Sequence, residues 1–309
     1  MKKLLVVTAI ALIAVFAFAG YSSAAITQHL SITSYNGPST CTACHTNAAK
    51  EMLATLHMKW AGPTPNVTNG GGAVLGKAIK GINTFCTYAM SSKAACFNCH
   101  VRSDGNAPDA PAEGDVDCLM CHNDTYQRKF VVDPNGITVK NVLGQTKTYY
   151  FGAQDANGNY STVPDYALMP AGTTLVSLAQ TVHRPTKKSC LRCHAKAGGG
   201  DWTKRGDMGV NSAAPTADQD VHMSASGANL SCTSCHKASA HKIGGRGIDL
   251  RQTEAPNPTC TQCHPSSPHP TNTSSSTVNA SHAKLNRHAN QKRVACQVCH
   301  IRTFGKGGA

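Results

Sequence analysis

The sequence predicts a mainly α chain with extensive loops, and three observations lead there. Aromatic residues make up only 6% of the 309 residues, so large core-filling side chains are scarce. Twenty-seven glycines and fifteen prolines interrupt regular structure along the whole length. The third observation is a repeat of two cysteines separated by two residues, with histidine directly after the second. It occurs at Cys41, Cys44 and His45; at Cys96, Cys99 and His100; at Cys118, Cys121 and His122; and at Cys190, Cys193 and His194. Three more copies follow at Cys232, Cys235 and His236; at Cys260, Cys263 and His264; and at Cys296, Cys299 and His300. These seven copies use fourteen of the fifteen cysteines.

This spacing is the attachment pattern for c-type haem. Each sulfur can add to one vinyl group of the porphyrin, and the adjoining histidine is then carried under the iron as its proximal ligand. A single Cys-x-x-Cys pair also suits a zinc knuckle or a redox dithiol. Neither needs a histidine directly after the second cysteine, and redox motifs do not usually come in arrays. With histidine in that place in all seven copies, the chain reads as a multihaem cytochrome c carrying seven covalently attached haem c groups. Haems then supply the missing interior, with short helices and loops wrapped around a haem chain.

The chain begins with Met1-Lys2-Lys3, an apolar run from Leu4 to Ala19 and small residues at Ser22 to Ala25. That is the layout of a secretory signal peptide over 1–25, followed by one heptahaem cytochrome c domain over 26–309. An uncleaved single-span anchor is the other reading of the same stretch. No cysteine lies at the cleavage point to carry lipid, and no later run is long and apolar enough to cross a bilayer. Haem c is attached outside the cytoplasm, so motifs and leader agree on a periplasmic or extracellular product. Loss of Lys2 and Lys3 lowers the formal charge from +13 to +11. Seven haems would bring about fourteen propionates, which offset most of the rest. The basic balance therefore does not point to nucleic acid.

Taken in order, residues 26–62 hold the first motif and a predicted helix. Thr46 or Asn47 can cap a run in which Ala49, Met52, Leu53, Leu56, His57 and Trp60 recur at helical spacing. Segment 63–95 is rich in Pro, Gly and Asn and carries the odd cysteine, Cys86, either a buried inert thiol, a thiol beside a haem or a link to a partner. Motifs two and three follow closely, so their haems are expected to be neighbours. From Phe130 to Asp165 there is neither cysteine nor histidine. Turn signals at Asp133-Pro134-Asn135-Gly136 and Asn157-Gly158 flank strand-like Ile137-Thr138-Val139 and Lys147–Phe151, which predicts a minor β-hairpin near 130–165. Leu175 to His183 is predicted to form a short helix that Pro185 helps to end. The Gly198-Gly199-Gly200 stretch is a loop without a P-loop pattern around it.

Removing the seven proximal histidines from the fifteen leaves His29, His57, His183, His222, His241, His269, His282 and His288 as candidate distal ligands. The numbers permit every haem to be bis-histidine ligated with one histidine to spare. Such iron is closed and suits electron transfer, whereas an open or lysine-ligated iron suits catalysis. Met58 or Met223 are conceivable substitutes. No distal candidate lies between His57 and His183, although haems two and three attach there. Those irons are served from remote segments, from a neighbouring subunit, or not by histidine; His29 is the natural candidate to reach a distant or neighbouring haem.

Several joined stretches resemble the octahaem tetrathionate reductase family: Leu56-His57-Met58-Lys59-Trp60, Ile82-Asn83-Thr84-Phe85-Cys86 and Val116-Asp117-Cys118-Leu119-Met120-Cys121-His122. Further along come Arg184-Pro185-Thr186 through Cys193-His194, Gly206-Asp207-Met208, Asp220-Val221-His222-Met223 and Val294-Ala295-Cys296-Gln297-Val298-Cys299-His300-Ile301. The resemblance implies a multihaem fold and a reductase ancestry, and two departures qualify it. The family carries eight haems, against seven motifs here. The family's catalytic haem also takes a lysine ligand with an acidic residue three positions earlier, and Ser177 and Thr174 stand in those places. His183 stands where the family has a small residue, and the family's active-site cysteine persists as Cys86. The resemblance thus implies a reactive iron that has lost its lysine and gained His183.

The expected function is that of an exported cytochrome transferring electrons along stacked bis-histidine haems, to an extracellular acceptor or within a filament. Its partners would be redox proteins or further copies of itself, with membrane contact only through those redox proteins. The alternative is a reductase of a small sulfur or nitrogen oxyanion such as tetrathionate, nitrite or hydroxylamine. That reading needs one haem without a strong distal histidine, and Cys86 with Lys129 or Arg128 to hold the anion. A zinc-storage array is the remaining class, and haem attachment would exclude it.

Overall fold

The computed structural model describes residues 27–59, 61–64, 68–69, 71–76, 101–102, 111–149, 152–153, 156, 161–195, 201, 208–245, 258–290 and 294–300. The expected signal peptide, all three residues of the second motif (Cys96, Cys99 and His100), Trp60, Cys86, the Gly198–Gly200 loop and the tail 301–309 lie outside them. Two compact units are present: Met1–Gly62 with Val74–Arg192, and Pro63–Ala73 with Cys193–Ala309.

In the first unit, α1 (Pro38–Thr42) opens the first motif from Gly37, whose φ of +68° is the left-handed conformation that glycine tolerates. Pro38 sits in the first turn, where its missing N–H costs nothing. Helical spacing predicts one helix from Ala49 to Trp60. The chain instead forms two, α2 (Ala48–Leu53) and α3 (Leu56–Lys59). Thr55 is fully buried between them, and its hydroxyl donates to Met52 O at 2.8 Å. A side chain competing for helical carbonyls in this way favours a break. The residue turned fully inward is Met58, 3% exposed, while His57 is half-buried. Asn47 is the N-cap of α2 but makes no side-chain cap bond.

A small ribbon of β1 (Ala61–Pro63) and β2 (Val74–Gly76) follows. The third motif enters α4 (Leu119–His122) after a 3-10 turn at Glu113–Asp115. The expected hairpin is present and is framed by an outer pair. β3 (Arg128–Phe130) pairs antiparallel with β6 (Thr162–Pro164), and inside them β4 (Ile137–Lys140) pairs with β5 (Thr146–Tyr149) in the register Ile137 to Tyr149. Asn141 builds the tip. Its amide oxygen accepts from the Leu143 and Gln145 N–H groups, and Gly144 takes φ +79°. The unit ends with α5 (Leu175–Gln180) and most of α6 (Lys187–His194).

The core of this unit is Ala49, Met52, Met58, Val101 and Val116, with Leu53 and Cys118 packed against it. Leu119, Met120, Leu178, Ala179 and Leu191 are buried as well.

The second unit continues from the end of α6 through a 3-10 turn at Val210–Ala213, α7 (Cys232–Cys235) and the two-residue strands β7 (Ala238–Ser239) and β8 (Lys242–Ile243). It ends with a 3-10 turn at Cys260–Gln262, the long α8 (Ser276–Asn290) and α9 (Cys296–His300). Among the described residues, the buried aliphatic, methionine and aromatic side chains lie in the first unit apart from Pro215; the second otherwise buries Thr64, Ser212, Ser224 and Asn286. Among the described residues, no helix is long and apolar enough to cross a membrane.

Candidate haem sites

Each described motif is built around a helical turn. The histidine N–H donates to the carbonyl of the first cysteine in four of them, at 2.9 Å for His45, 3.1 Å for His122, 2.9 Å for His236 and 2.9 Å for His264. Motif four lies wholly within α6 and motif seven forms α9. A turn of this kind brings residues i, i+3 and i+4 to one side. Both thiols and the imidazole are therefore presented together.

All the described motif cysteines are thiols, outside any disulfide. They are not equally covered. Cys44, Cys235, Cys260, Cys263 and Cys299 are exposed, whereas Cys41, Cys118, Cys121, Cys190, Cys193, Cys232 and Cys296 are half-buried. The exposed set includes both cysteines of motif six, Cys260 and Cys263, and the second cysteine of motif one, Cys44. In motif six both sulfurs are exposed and so reachable by a vinyl group, whereas Cys118 packs against the core of the first unit. For Cys99 and His100, which lie outside the described residues, attachment and ligation rest on the sequence repeat alone.

The imidazole tautomers are set by backbone. His122 Nδ1 lies 2.9 Å from His183 O, and His236 Nδ1 lies 2.7 Å from Gly244 O. A carbonyl can only accept, so each Nδ1 carries the proton and each Nε2 keeps a lone pair for metal. The loop that orients His236 is the β7–β8 hairpin. Its two turn residues, Ala240 and His241, take φ of +48° and +60°, so the candidate ligand His241 sits on strained backbone.

Histidines meet as rings in both units. His29 stacks beside His45 with centroids 6.2 Å apart and planes 26° from parallel. His222 faces His264 at 6.1 Å, and His269 stacks with His300 at 5.9 Å and 21°. Two imidazoles on opposite sides of one metal have ring centres roughly 6 Å apart, from metal–nitrogen bonds of about 2 Å and roughly 1 Å from each nitrogen to its ring centre. The three distances match that span, and each pair joins one proximal and one candidate distal histidine. His29 thus faces the first motif of its own chain. His269 also lies 5.8 Å from His282, whose Nδ1 donates to Pro270 O.

His183 is placed differently. Its Nδ1 donates to Arg184 O at 2.8 Å, and its Nε2 accepts from the Asp124 N–H at 3.2 Å. Both ring nitrogens face protein. Thr174 and Ser177 form the N-terminal capping box of α5: the Ser177 N–H donates to Thr174 Oγ1 at 3.0 Å and the Thr174 N–H to Ser177 Oγ at 2.9 Å. His57 is half-buried on α3, and His288 is exposed in the last turn of α8. Met223, a conceivable substitute ligand, is half-buried.

Neighbouring motifs touch. The Cys41 and Cys118 thiols are hydrogen-bonded, which lowers the pKa of Cys41 and, together with burial, pushes that of Cys118 well up. Cys260 and Cys296 are bonded likewise; burial and the Cys296 thiol raise the pKa of Cys260. Motif four is latched to motif three by Arg192, which donates to Met120 O at 3.0 Å and Asn123 O at 3.1 Å. Thr186 and Ser189 donate to the two oxygens of Asp124, each at 2.6 Å. Partial burial opposes ionisation of Asp124, yet these bonds and His183 hold its pKa below the usual carboxylate range. Beneath motif three, Asp117 is buried with Arg128 at 3.0 Å and accepts from Tyr126 Oη at 3.0 Å. Full burial raises its pKa against the pull of Arg128. Lys129, suggested as an anion holder, is paired with Asp165 at 3.3 Å.

No protein-family model matches the chain. A protein of Archaeoglobus fulgidus described as uncharacterized is 26% identical over 260 residues, 72% of this chain and 80% of that protein. An octahaem cytochrome c from Shewanella oneidensis, known from its crystal structure, is 28% identical with a TM-score of 0.56 over 89% of this chain. The fold resembles that of a multihaem cytochrome. This chain spans about half the length of that octahaem protein, covering 53% of it. The likeness is to a protein that carries haem c.

The residues present fit that group. Thiols and an imidazole share one side of each described motif, the paired rings have the span of two axial ligands, and the second unit buries no large apolar side chain of its own among the described residues. Sequence reasoning names candidate attachment residues but not which histidines pair. Those pairings depend on contacts between segments far apart in the chain, and no local pattern marks them. The capping role of Thr174 and Ser177 does have a local signal, a Thr-x-x-Ser pattern ahead of an apolar run.

Proposed function

We propose that this chain is an exported heptahaem c-type cytochrome that transfers electrons along closely placed bis-histidine haems. The observation that carries the reading is the set of ring pairs, His29 with His45, His222 with His264 and His269 with His300, each at the span of two axial ligands. Haem c, when attached, supplies an iron that cycles between ferric and ferrous and a conjugated ring through which the electron leaves. The chain's own residues orient His122 and His236 by one ring nitrogen and hold motif four against motif three through Arg192. Closed, six-coordinate iron needs no substrate cavity. The electron then passes to a redox protein, to an extracellular acceptor or to another copy. A filament joined through His29 requires that this histidine leave His45 for the next chain.

Pyridine haemochrome analysis counts the haems, and near-infrared magnetic circular dichroism with EPR reads their ligands. Seven haems per chain, all low-spin and bis-histidine, are expected. A high-spin or lysine-ligated haem overturns the conductor reading in favour of a reductase of a small sulfur or nitrogen oxyanion. One observation favours that second reading: His183 bonds protein groups through both ring nitrogens.

A further inference from the structure

We propose that Asn286 is a positioning residue that fixes the tautomer and aim of His269, the ring stacked on the seventh motif's His300. The inference rests on the haem reading above and deepens it. One side-chain amide holds three parts of His269. Asn286 Oδ1 accepts from the His269 N–H at 3.0 Å and from His269 Nδ1 at 3.0 Å, and Asn286 Nδ2 donates to His269 O at 2.7 Å. The amide orientation is fixed by this set. A flipped amide would set its NH2 against a backbone N–H and its oxygen against a carbonyl, and neither pairing makes a hydrogen bond. With Oδ1 in that place, His269 Nδ1 must carry the proton, so Nε2 keeps its lone pair. The ring lies 5.9 Å from that of His300 and 21° from parallel.

Asn286 is 7% exposed, so water does not readily replace the bond. It also belongs to a row. Asn279, His282, Asn286 and Asn290 share one face of α8, at three- and four-residue spacing, and all bond to the 267–273 loop. Asn279 Nδ2 donates to Thr273 O at 2.9 Å and its Oδ1 accepts from Thr273 Oγ1 at 2.6 Å. His282 donates to Pro270 O, and Asn290 to Ser267 Oγ at 3.3 Å. The longest helix among the described residues thus lies along the segment that carries His269. An outer partner of this kind orients a ligating histidine, and its loss weakens the hold on metal about 10- to 100-fold.

The test uses the full haem-loaded chain and three variants: Asn286→Leu, Asn286→Asp and Ala283→Gly. Asn286→Asp keeps an oxygen that accepts from Nδ1. Ala283→Gly weakens α8 through backbone entropy without touching His269. Carbon monoxide uptake by the reduced protein reports a released axial position, and magnetic circular dichroism reports the ligand pair. Expected is carbon monoxide uptake rising toward one equivalent per chain in N286L, with one bis-histidine signature lost, while A283G behaves as the parent and N286D, which keeps the Nδ1 acceptor but sets an oxygen against His269 O, falls between the two. If N286L does not accumulate, Asn286→Ser removes the same acceptor at smaller cost in shape. Parent-like behaviour in the Leu or Ser variant overturns the proposal, as does equal uptake in A283G, which would make the effect one of helix stability. The haemochrome count separates the two levels: fewer than seven haems in the parent defeats the heptahaem reading, whereas seven haems with a silent variant defeats the Asn286 role alone.

Discussion

The two units solve the problem of an interior in different ways. The first packs Ala49, Met52, Met58, Val101 and Val116 around the turn that carries motif three and sets a buried Asp117–Arg128 pair beneath it. The second carries three whole motifs and the end of a fourth, yet its buried side chains include Thr64, Ser212, Ser224 and Asn286 and no large apolar one among the described residues. Val210, Val221, Leu285, Val294 and Val298 stand exposed there. A folded unit must bury apolar surface to offset the entropy of ordering its chain. In the first unit protein supplies much of that surface; in the second, on the function proposed above, attached haems would supply it.

The largest expected effect breaks the comparison outright. In a chain made without haem, hydrogen exchange followed by mass spectrometry should show protected amides remaining in 111–192 and protection lost through 208–300. Equal protection of the two would remove the distinction. Next comes Arg128→Leu, which strands the buried Asp117 carboxylate and should destabilise the first unit by about 3–5 kcal/mol, read as a lowered denaturation midpoint. Leu119, inside motif three and only 1% exposed, sharpens the contrast. Leu119→Ala should cost about 2–5 kcal/mol in the same measurement, with the haem count unchanged. The smallest effect is at Thr174→Ala, where loss of the α5 cap should cost about 1 kcal/mol. A collapse of haem loading in that variant would show that Thr174 does more than start a helix.

How much of this is legible in the sequence follows from the range of each interaction. The candidate attachment motif is readable because its two cysteines and histidine fall within five residues. Their surroundings are not: nothing in the repeat separates exposed Cys44 and Cys263 from half-buried Cys41 and Cys121, since cover comes from remote segments. The hairpin is readable because Asn, Asp and Gly mark turns locally. The split of the predicted helix is not, because it turns on Thr55 being buried and bonding back to Met52, which spacing alone does not mark. All the candidate ligands are visible as histidines, but nothing local tells His269, with an amide on its Nδ1, from His183, with protein on both nitrogens. Asn286 goes unread because asparagine in a helix looks like an indifferent surface residue until its partner is seen.

The hairpin has a practical consequence. Ile137–Lys140 and Thr146–Tyr149 carry neither cysteine nor histidine, and Val142 and Leu143 at the tip are 103% and 78% exposed. A peptide spliced in there touches no haem motif and burdens no packed surface. It offers a handle by which the protein can be fixed to an electrode in one known orientation, so that current through it is measured along a defined direction.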